Sequence, residues 1–375
     1  MKFLLACDKF RGSLSGLEVS ENLSEGILRV IPDAEISKSP VADGGEGTLD
    51  LLIKAYGAER FPIQVVDALR RTHTVEVGYS ASRRLGIVEM ASCVGLAILS
   101  PNERNPMQTS TYGLGQALRQ LVALGSGTIL LAIGGSSTND GGSGILEALG
   151  YQFYTKDGLI SPVGGNLSDV VEIRSPDNKI MDGVEIQVAS DVDNVVCGPS
   201  GATYTYAPQK GASDEDLIHL EAGMKHYAEL IKGITKTDVF SAKGYGAAGG
   251  VALSLCTLLG AKLVSGSELV FTALNLEQKV LESDVIVTGE GKIDGQTLHG
   301  KAITPIVGCG LKYGKRVFLV CGIYEPSSQA DLDTLPCFEL VKLAEETGLD
   351  SYHDAAVLVQ EIGRRIGRLQ NDQAE

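Results

Sequence analysis

The sequence predicts an α/β protein of two domains: a Rossmann/flavodoxin-like parallel-sheet domain made of both chain ends, and a mixed α/β domain inserted between them. Three observations carry this. The chain has 375 residues, more than one growing hydrophobic core accommodates, and its 43% apolar content supplies two cores. Short apolar runs followed by helical stripes recur near both ends, the mark of βα units. Between them, residues 60–91 alternate as antiparallel or mixed strands do, with no helical pattern.

Taken in order, residues 3–6 form a buried strand. Leu23, Ile27, Val30 and Ile31 then mark one face of a helix that Pro32-Asp33 ends, and residues 34–36 start a second strand. In the alternating region Thr74, Glu76 and Gly78 face one way, Val75, Val77 and Tyr79 the other. Residues 128–133 are a buried strand that passes through a glycine loop into a helix at 144–149. Residues 158–182, rich in Gly, Pro, Ser and Asp and without periodicity, read as a long loop. Ser213 and Asp216 stand in capping-box spacing before Leu217, Leu220, Met224, Tyr227 and Ile231, so a helix covers 213–231. An apolar helix follows at 251–259. Buried strands at 284–287, 317–321 and 338–341 and an amphipathic helix at 354–369 complete the pattern. The discontinuous domain is thus 1–60 with 281–375 and the inserted one 61–280, with 105–150 assignable to either.

Composition excludes several classes. A formal charge of −15 opposes nucleic acid and anionic membranes, both of which require a basic surface. Seven cysteines, an odd number without a C-x-x-C pair, fit a reducing compartment, and the cytoplasm is the expected location. His219 and His226 lie seven apart with no third ligand in view. No run approaches the ~20 apolar residues of a membrane helix, and residues 2–7 are too short for a signal core. The expected partner is a small molecule, and against this charge an anionic one needs local Lys and Arg.

The 46 glycines among 375 residues, about 12% against a usual ~7%, concentrate in loops that also carry carboxylates and bases. Asp8-Lys9-Phe10-Arg11-Gly12-Ser13 lies between the first strand and first helix, where open sheets bind ligands: Asp8 offers an acceptor, Arg11 a fork of donors for a carboxylate. Val41-Ala42-Asp43-Gly44-Gly45-Glu46-Gly47-Thr48 sets two carboxylates three apart among glycines. In Gly134-Gly135-Ser136-Ser137-Thr138-Asn139-Asp140-Gly141-Gly142, backbone N–H groups and a helix N-terminus are expected to face an anion, with Ser136, Ser137, Thr138, Asn139 and Asp140 making specific contacts. Asp191 and Asp193 lie on one side of an extended segment, suited to sharing Mg²⁺ or dividing metal and base roles. Lys210, in Pro208-Gln209-Lys210-Gly211, adds a cation. Two nucleotide fingerprints fall short. Gly244-Tyr245-Gly246-Ala247-Ala248-Gly249 fits G-x-G-x-x-G, but polar residues 236–243 precede it where a buried strand belongs. Gly295 to Ala302 resembles a P-loop with Ala where Ser or Thr must meet Mg²⁺.

In sequence these loops, with Thr288-Gly289-Glu290-Gly291-Lys292-Ile293-Asp294-Gly295-Gln296-Thr297-Leu298-His299-Gly300-Lys301, resemble the bacterial-type glycerate kinases over nearly the whole chain. The resemblance implies a two-domain glycerate kinase type fold with the active site in a cleft between domains, ATP and Mg²⁺ as cofactors, and phosphorylation of D-glycerate to 2-phosphoglycerate. The family's first loop usually reads Pro-Asp-Ser-Phe-Lys-Gly-Ser; here Cys7, Lys9 and Arg11 replace the Pro, Ser and Lys. Expected roles are catalysis by Asp191, Asp193 and Lys292; substrate binding by Asp8, Arg11 and residues 136–140; phosphate binding by Gly44, Gly45, Gly134, Gly135, Lys210, Gly289, Gly291 and Lys301; and metal binding by Asp43, Glu46 and Asp294. The alternatives are a kinase for another small hydroxy acid and a non-catalytic sugar-acid sensor, though the chain lacks the basic helix a DNA-linked sensor requires.

Overall fold

A computed structural model describes residues 1–10, 12–42, 47–294, 302–325 and 334–371. Its strands are β1 (Lys2–Cys7), β2 (Glu35–Lys38), β3 (Glu59–Val66), β4 (Thr72–Ser80), β5 (Leu85–Glu89), β6 (Thr128–Ala132), β7 (Gln152–Thr155), β8 (Gly158–Ile160), β9 (Glu172–Arg174), β10 (Glu185–Ala189), β11 (Lys262–Val264), β12 (Val285–Ile293), β13 (Arg316–Tyr324) and β14 (Cys337–Glu339). The helices are α1 (Gly16–Leu28), α2 (Thr48–Tyr56), α3 (Met90–Val94), α4 (Tyr112–Ala123), α5 (Ser143–Ala148), α6 (Ala202–Tyr206), α7 (Asp214–Thr235), α8 (Ala247–Leu258), α9 (Gly266–Ala273), α10 (Leu276–Glu282), α11 (Thr304–Lys312), α12 (Leu340–Thr347) and α13 (Ala355–Asn371).

The chain divides into two compact units, Met1–Asp43 with Gly266–Glu375, and Gly44–Ser265. Sequence reading set the junctions at 60/61 and 280/281; α2 instead falls in the second unit, and α9 and α10 in the first. Residues 105–150 lie in the second unit.

The first unit is a five-stranded sheet, β14-β13-β12-β1-β2, parallel throughout. An all-parallel sheet is covered on both faces, so its inner strands read as unbroken apolar runs, as Phe3–Cys7 and Val285–Val287 do. One face packs Val19, Leu23 and Ile27 of α1 with Leu358, Ile362 and Ile366 of α13. The two helices meet closely at glycines: a Cβ on Gly26 would lie 2.0 Å from the Gln360 carbonyl oxygen, and one on Gly363 2.4 Å from that of Leu23. Ile286 points to the opposite face, where a Cβ on Gly310 of α11 would meet it at 3.0 Å.

The second unit holds a six-stranded sheet, β11-β10-β6-β5-β4-β3, whose β3, β4 and β5 are antiparallel and the rest parallel. The alternation over 60–91 is this meander. The helix expected at 213–231 is α7, with the Ser213–Asp216 capping box formed. Residues 158–182 are not one loop: β8 and β9 flank β7 in a small antiparallel sheet, with a 3₁₀ turn at Gly164–Asp169. Strands of three residues are too short to show a period of two. The strand expected over 338–341 ends at Glu339, where Leu340 opens α12.

Candidate functional site

From β1 the first unit's chain steps outward to β2, whereas β12, β13 and β14 step the other way, so the winding reverses between β1 and β12. Ligands of open α/β sheets bind outside the strand carboxyl ends at such a reversal. A cavity of about 480 Å³ lies there, lined by Asp8 and Lys9 after β1 and by Glu290, Gly291, Lys292 and Asp294 from the end of β12. Asp8 and Glu290 are buried. The Lys9 amide donates to Asp8 Oδ1 at 2.7 Å, which fixes that carboxylate. Lys292 Nζ lies 2.9 Å from Glu325 Oε2 and 3.7 Å from Asp294 Oδ2. The Glu325 hydrogen bond, then the two negative charges, hold its ammonium above the usual lysine range, so Lys292 is a permanent cation. Gly291 lines the cavity, whereas Gly289 serves the sheet: a Cβ there would lie 1.8 Å from the Val320 carbonyl oxygen.

In the second unit the loop after β6 begins with half-buried Gly134 and exposed Gly135, the latter at φ 73°, then turns inward. Ser136, Ser137, Thr138, Asn139 and Asp140 are all buried. The loop is fastened from several sides. The Leu96 amide donates to the Gly135 carbonyl at 2.8 Å, Ser137 Oγ to the Val94 carbonyl at 2.8 Å, Thr109 Oγ1 to the Ser137 carbonyl at 3.0 Å and Asn139 Nδ2 to Thr203 Oγ1 at 3.2 Å. The glycine fingerprint near 244–249 takes part as packing: Gly249, at φ 70°, sits so close that a Cβ would lie 2.1 Å from the Thr138 carbonyl oxygen.

Asp140 answers what sits at the N-terminus of α5. Its carboxylate accepts from the amides of Gly142 (3.1 Å), Gly144 (3.3 Å) and Thr111 (2.8 Å) and from Thr111 Oγ1 (2.8 Å). The sequence reading set these N–H groups before an external anion; the structure sets the protein's own carboxylate there. Complete burial pushes the Asp140 carboxyl above the usual carboxylate range, against four donors that favour its ionised form.

Lys210 faces the same network. It is 1% exposed, and its Nζ donates to Ser136 Oγ and the Thr138 carbonyl, each at 2.7 Å. Burial lowers its pKa to about 7, the Asp140 charge opposing the fall. Lys210, expected on phosphate, therefore holds the Ser136 hydroxyl and the Thr138 carbonyl from inside.

Asp191 and Asp193 have different surroundings. Asp191 is half-buried and its Oδ1 accepts from Ser265 Oγ at 2.7 Å. The Asp193 side chain is 81% exposed and pairs with Lys243 at 3.1 Å. Asn194 fixes the turn that follows, donating to the Ser200 carbonyl at 2.7 Å and accepting from Tyr206 Oη at 2.6 Å.

Asp8, Glu290 and Asp294 line the cavity as hard oxygen donors of the kind Mg²⁺ takes. Among the described residues no group of three His, Cys, Asp or Glu can hold a metal ion. Mg²⁺ that is carried on phosphates needs only one or two such carboxylates. Arg11, Asp43, Gly44, Gly45, Glu46 and Lys301 lie outside the described residues.

Sequence reasoning missed Thr109, Ser110 and Thr111, all fully buried and wrapped around the 136–140 loop. Three consecutive hydroxyl residues before a helix read locally as a cap, but the Thr111 hydroxyl goes to Asp140 instead.

Residues 3–371 match the model of the glycerate kinase family. The chain is 39% identical over 326 residues to glycerate 2-kinase of Escherichia coli K12, covering 86% of this chain and 85% of that one. It is 38% identical over 322 residues to glycerate kinase of Halalkalibacterium halodurans, covering 85% and 84%. A crystal structure from Salmonella typhimurium LT2, assigned as a glycerate kinase 2, superposes with a TM-score of 0.82 at 33% identity over 100% of both chains. Among the described residues no helix is long and apolar enough to cross a membrane.

Proposed function

The chain belongs to the glycerate kinase family, and on that footing we propose that it transfers the γ-phosphoryl group of ATP to the 2-hydroxyl of D-glycerate, giving 2-phosphoglycerate and ADP, with Mg²⁺ on the phosphates. The observation that carries this reading is the family match from residue 3 to residue 371. Phosphoryl transfer requires little covalent chemistry from a protein; it requires positioned anions, cations to meet charge on the transferring group, and a carboxylate to orient the hydroxyl. Asp191, half-buried and held by Ser265, is the proposed orienting base, with Asp193 as the alternative. Lys292, kept protonated by Glu325, is the proposed cation for the transferring phosphoryl group. Asp8 accepts from a substrate hydroxyl. Asp294 meets Mg²⁺ or its waters, with Asp43 and Glu46 assigned by motif alone. Gly291, Gly134 and Gly135 leave backbone open to phosphate, and Arg11, Gly44, Gly45 and Lys301 complete the anion-binding set by motif position. Bound Mg²⁺ would neutralise charge on the β- and γ-phosphates. Ser136 and Thr138 contribute through a backbone that Lys210 fixes. All seven cysteines are free, which accords with a cytoplasmic setting.

The test is incubation with ATP, Mg²⁺ and D-glycerate, followed by phosphorus NMR. A 2-phosphate resonance supports the full proposal, and a 3-phosphate resonance keeps the kinase while overturning the regiochemistry. No phosphorylated product, with both ligands still bound by calorimetry, sinks glycerate as acceptor.

A further inference from the structure

Three of the described arginines, Arg104, Arg364 and Arg365, are half-buried. Arg364 pairs with Glu361 at 2.8 Å and Arg365 with Glu346 at 2.7 Å. Arg104 pairs with no carboxylate among the described residues, and its Nε is enclosed without an acceptor. Enclosed polar atoms nearly always have partners, and guanidinium groups above all, since they cannot shed their charge. The neighbouring acid gives no help: Glu103 reaches instead to Arg71 at 2.5 Å.

The position of Arg104 carries the argument further. Its carbonyl oxygen would lie 2.2 Å from a Cβ on Gly211, so the Pro208–Lys210 turn ends against the Arg104 backbone. Lys210, next in the chain to Gly211, holds Ser136 and Thr138, and Thr109, five residues after Arg104, holds Ser137. Arg104 therefore belongs to the same assembly that shapes the 134–140 loop, whose own acid, Asp140, is fully engaged by four donors. An enclosed Nε–H donor with no acceptor among the described residues, on a residue whose backbone abuts the turn that carries Lys210, suits an oxyanion from outside.

We infer that Arg104 is a substrate-binding residue whose guanidinium receives an oxyanion, the carboxylate of glycerate or a phosphate of ATP. The inference rests on the glycerate kinase reading and adds a residue that none of the glycine loops contains.

Arg104→Lys retains stem and charge but loses the fork, and Arg104→Gln loses the charge; both are compared with wild type for KM of D-glycerate and of ATP and for kcat. Wild-type activity in the same assay separates failure of this inference from failure of the kinase reading. A carboxylate partner predicts KM for glycerate raised roughly 10²-fold in Arg104→Gln, less in Arg104→Lys, with KM for ATP within about threefold of wild type. A phosphate partner predicts the reverse pattern. Folded variants with both KM values unchanged overturn the inference. Should neither variant fold, the Arg104 Nε–H resonance of the wild-type protein decides: a shift on adding glycerate or ATP supports it, and no shift with either overturns it.

Discussion

Replacing Lys210 with Met tests the buried ammonium directly. In water a lysine titrates near 10.5; in this protein burial brings Lys210 to about 7. Between those values the unfolded chain holds a proton that the folded chain does not, so stability rises with pH across that window, and below pH 7 the folded protein carries the full cost of the buried charge. One pKa unit corresponds to ~1.4 kcal/mol, so Lys210 should contribute a gain on the order of 2–3 kcal/mol between pH 7.5 and 9.5. The Lys210→Met variant has no such group. It also loses two charged hydrogen bonds, each worth ~1.5–3 kcal/mol, and gains relief from desolvation of the same order, so its stability at pH 7 should lie close to wild type. Urea denaturation of both proteins across pH 7.5 to 9.5 is the assay, read as the difference between them at each pH. The difference should widen by roughly 2–3 kcal/mol in favour of wild type. Parallel curves, differing by a constant within ~0.5 kcal/mol, would refute a lysine buried below its usual pKa. Turnover of the variant should fall as well, because Ser136 and Thr138 lose their inner anchor.

Asp191→Asn should lower kcat at least ~10²-fold with a small change in KM for glycerate, measured by steady-state kinetics; near-normal turnover removes Asp191 from the chemistry. Asp140→Asn turns an NH₂ group toward N–H donors and should destabilise the protein by roughly 2–4 kcal/mol in thermal melts, whereas a wild-type melting point would mean the four contacts carry little. Gly289→Ala forces a methyl to within 1.8 Å of the Val320 carbonyl oxygen and should leave little folded protein. Its control, Gly233→Ala in α7, meets nothing within 4 Å and should raise stability by ~0.5–1 kcal/mol; equal melting points for the two variants would contradict the packing.

Much of the fold was legible because its signals are local. Apolar runs such as Phe3–Cys7 and the Ser213–Asp216 capping box announce their elements within a few residues. What escaped was short or displaced: β8 and β9 are too brief for periodicity. The candidate site divided the same way. The cavity at the ends of β1 and β12 collects Asp8, Gly291, Lys292 and Asp294 from two of the glycine loops that carry acids and bases.

Local patterns of residues carried the longer elements, the places where glycine lets backbone approach closely, and the family. Only the tertiary structure decided which charged groups are spent inside the protein. Asp140 receives Thr111 from 29 residues away, Lys210 reaches back 72 residues to Thr138, and Arg104 has no acid partner among the described residues while its neighbour Glu103 is taken by Arg71. A side chain's charge state and availability follow from desolvation and from donors brought by distant segments, and no local pattern of residues encodes either.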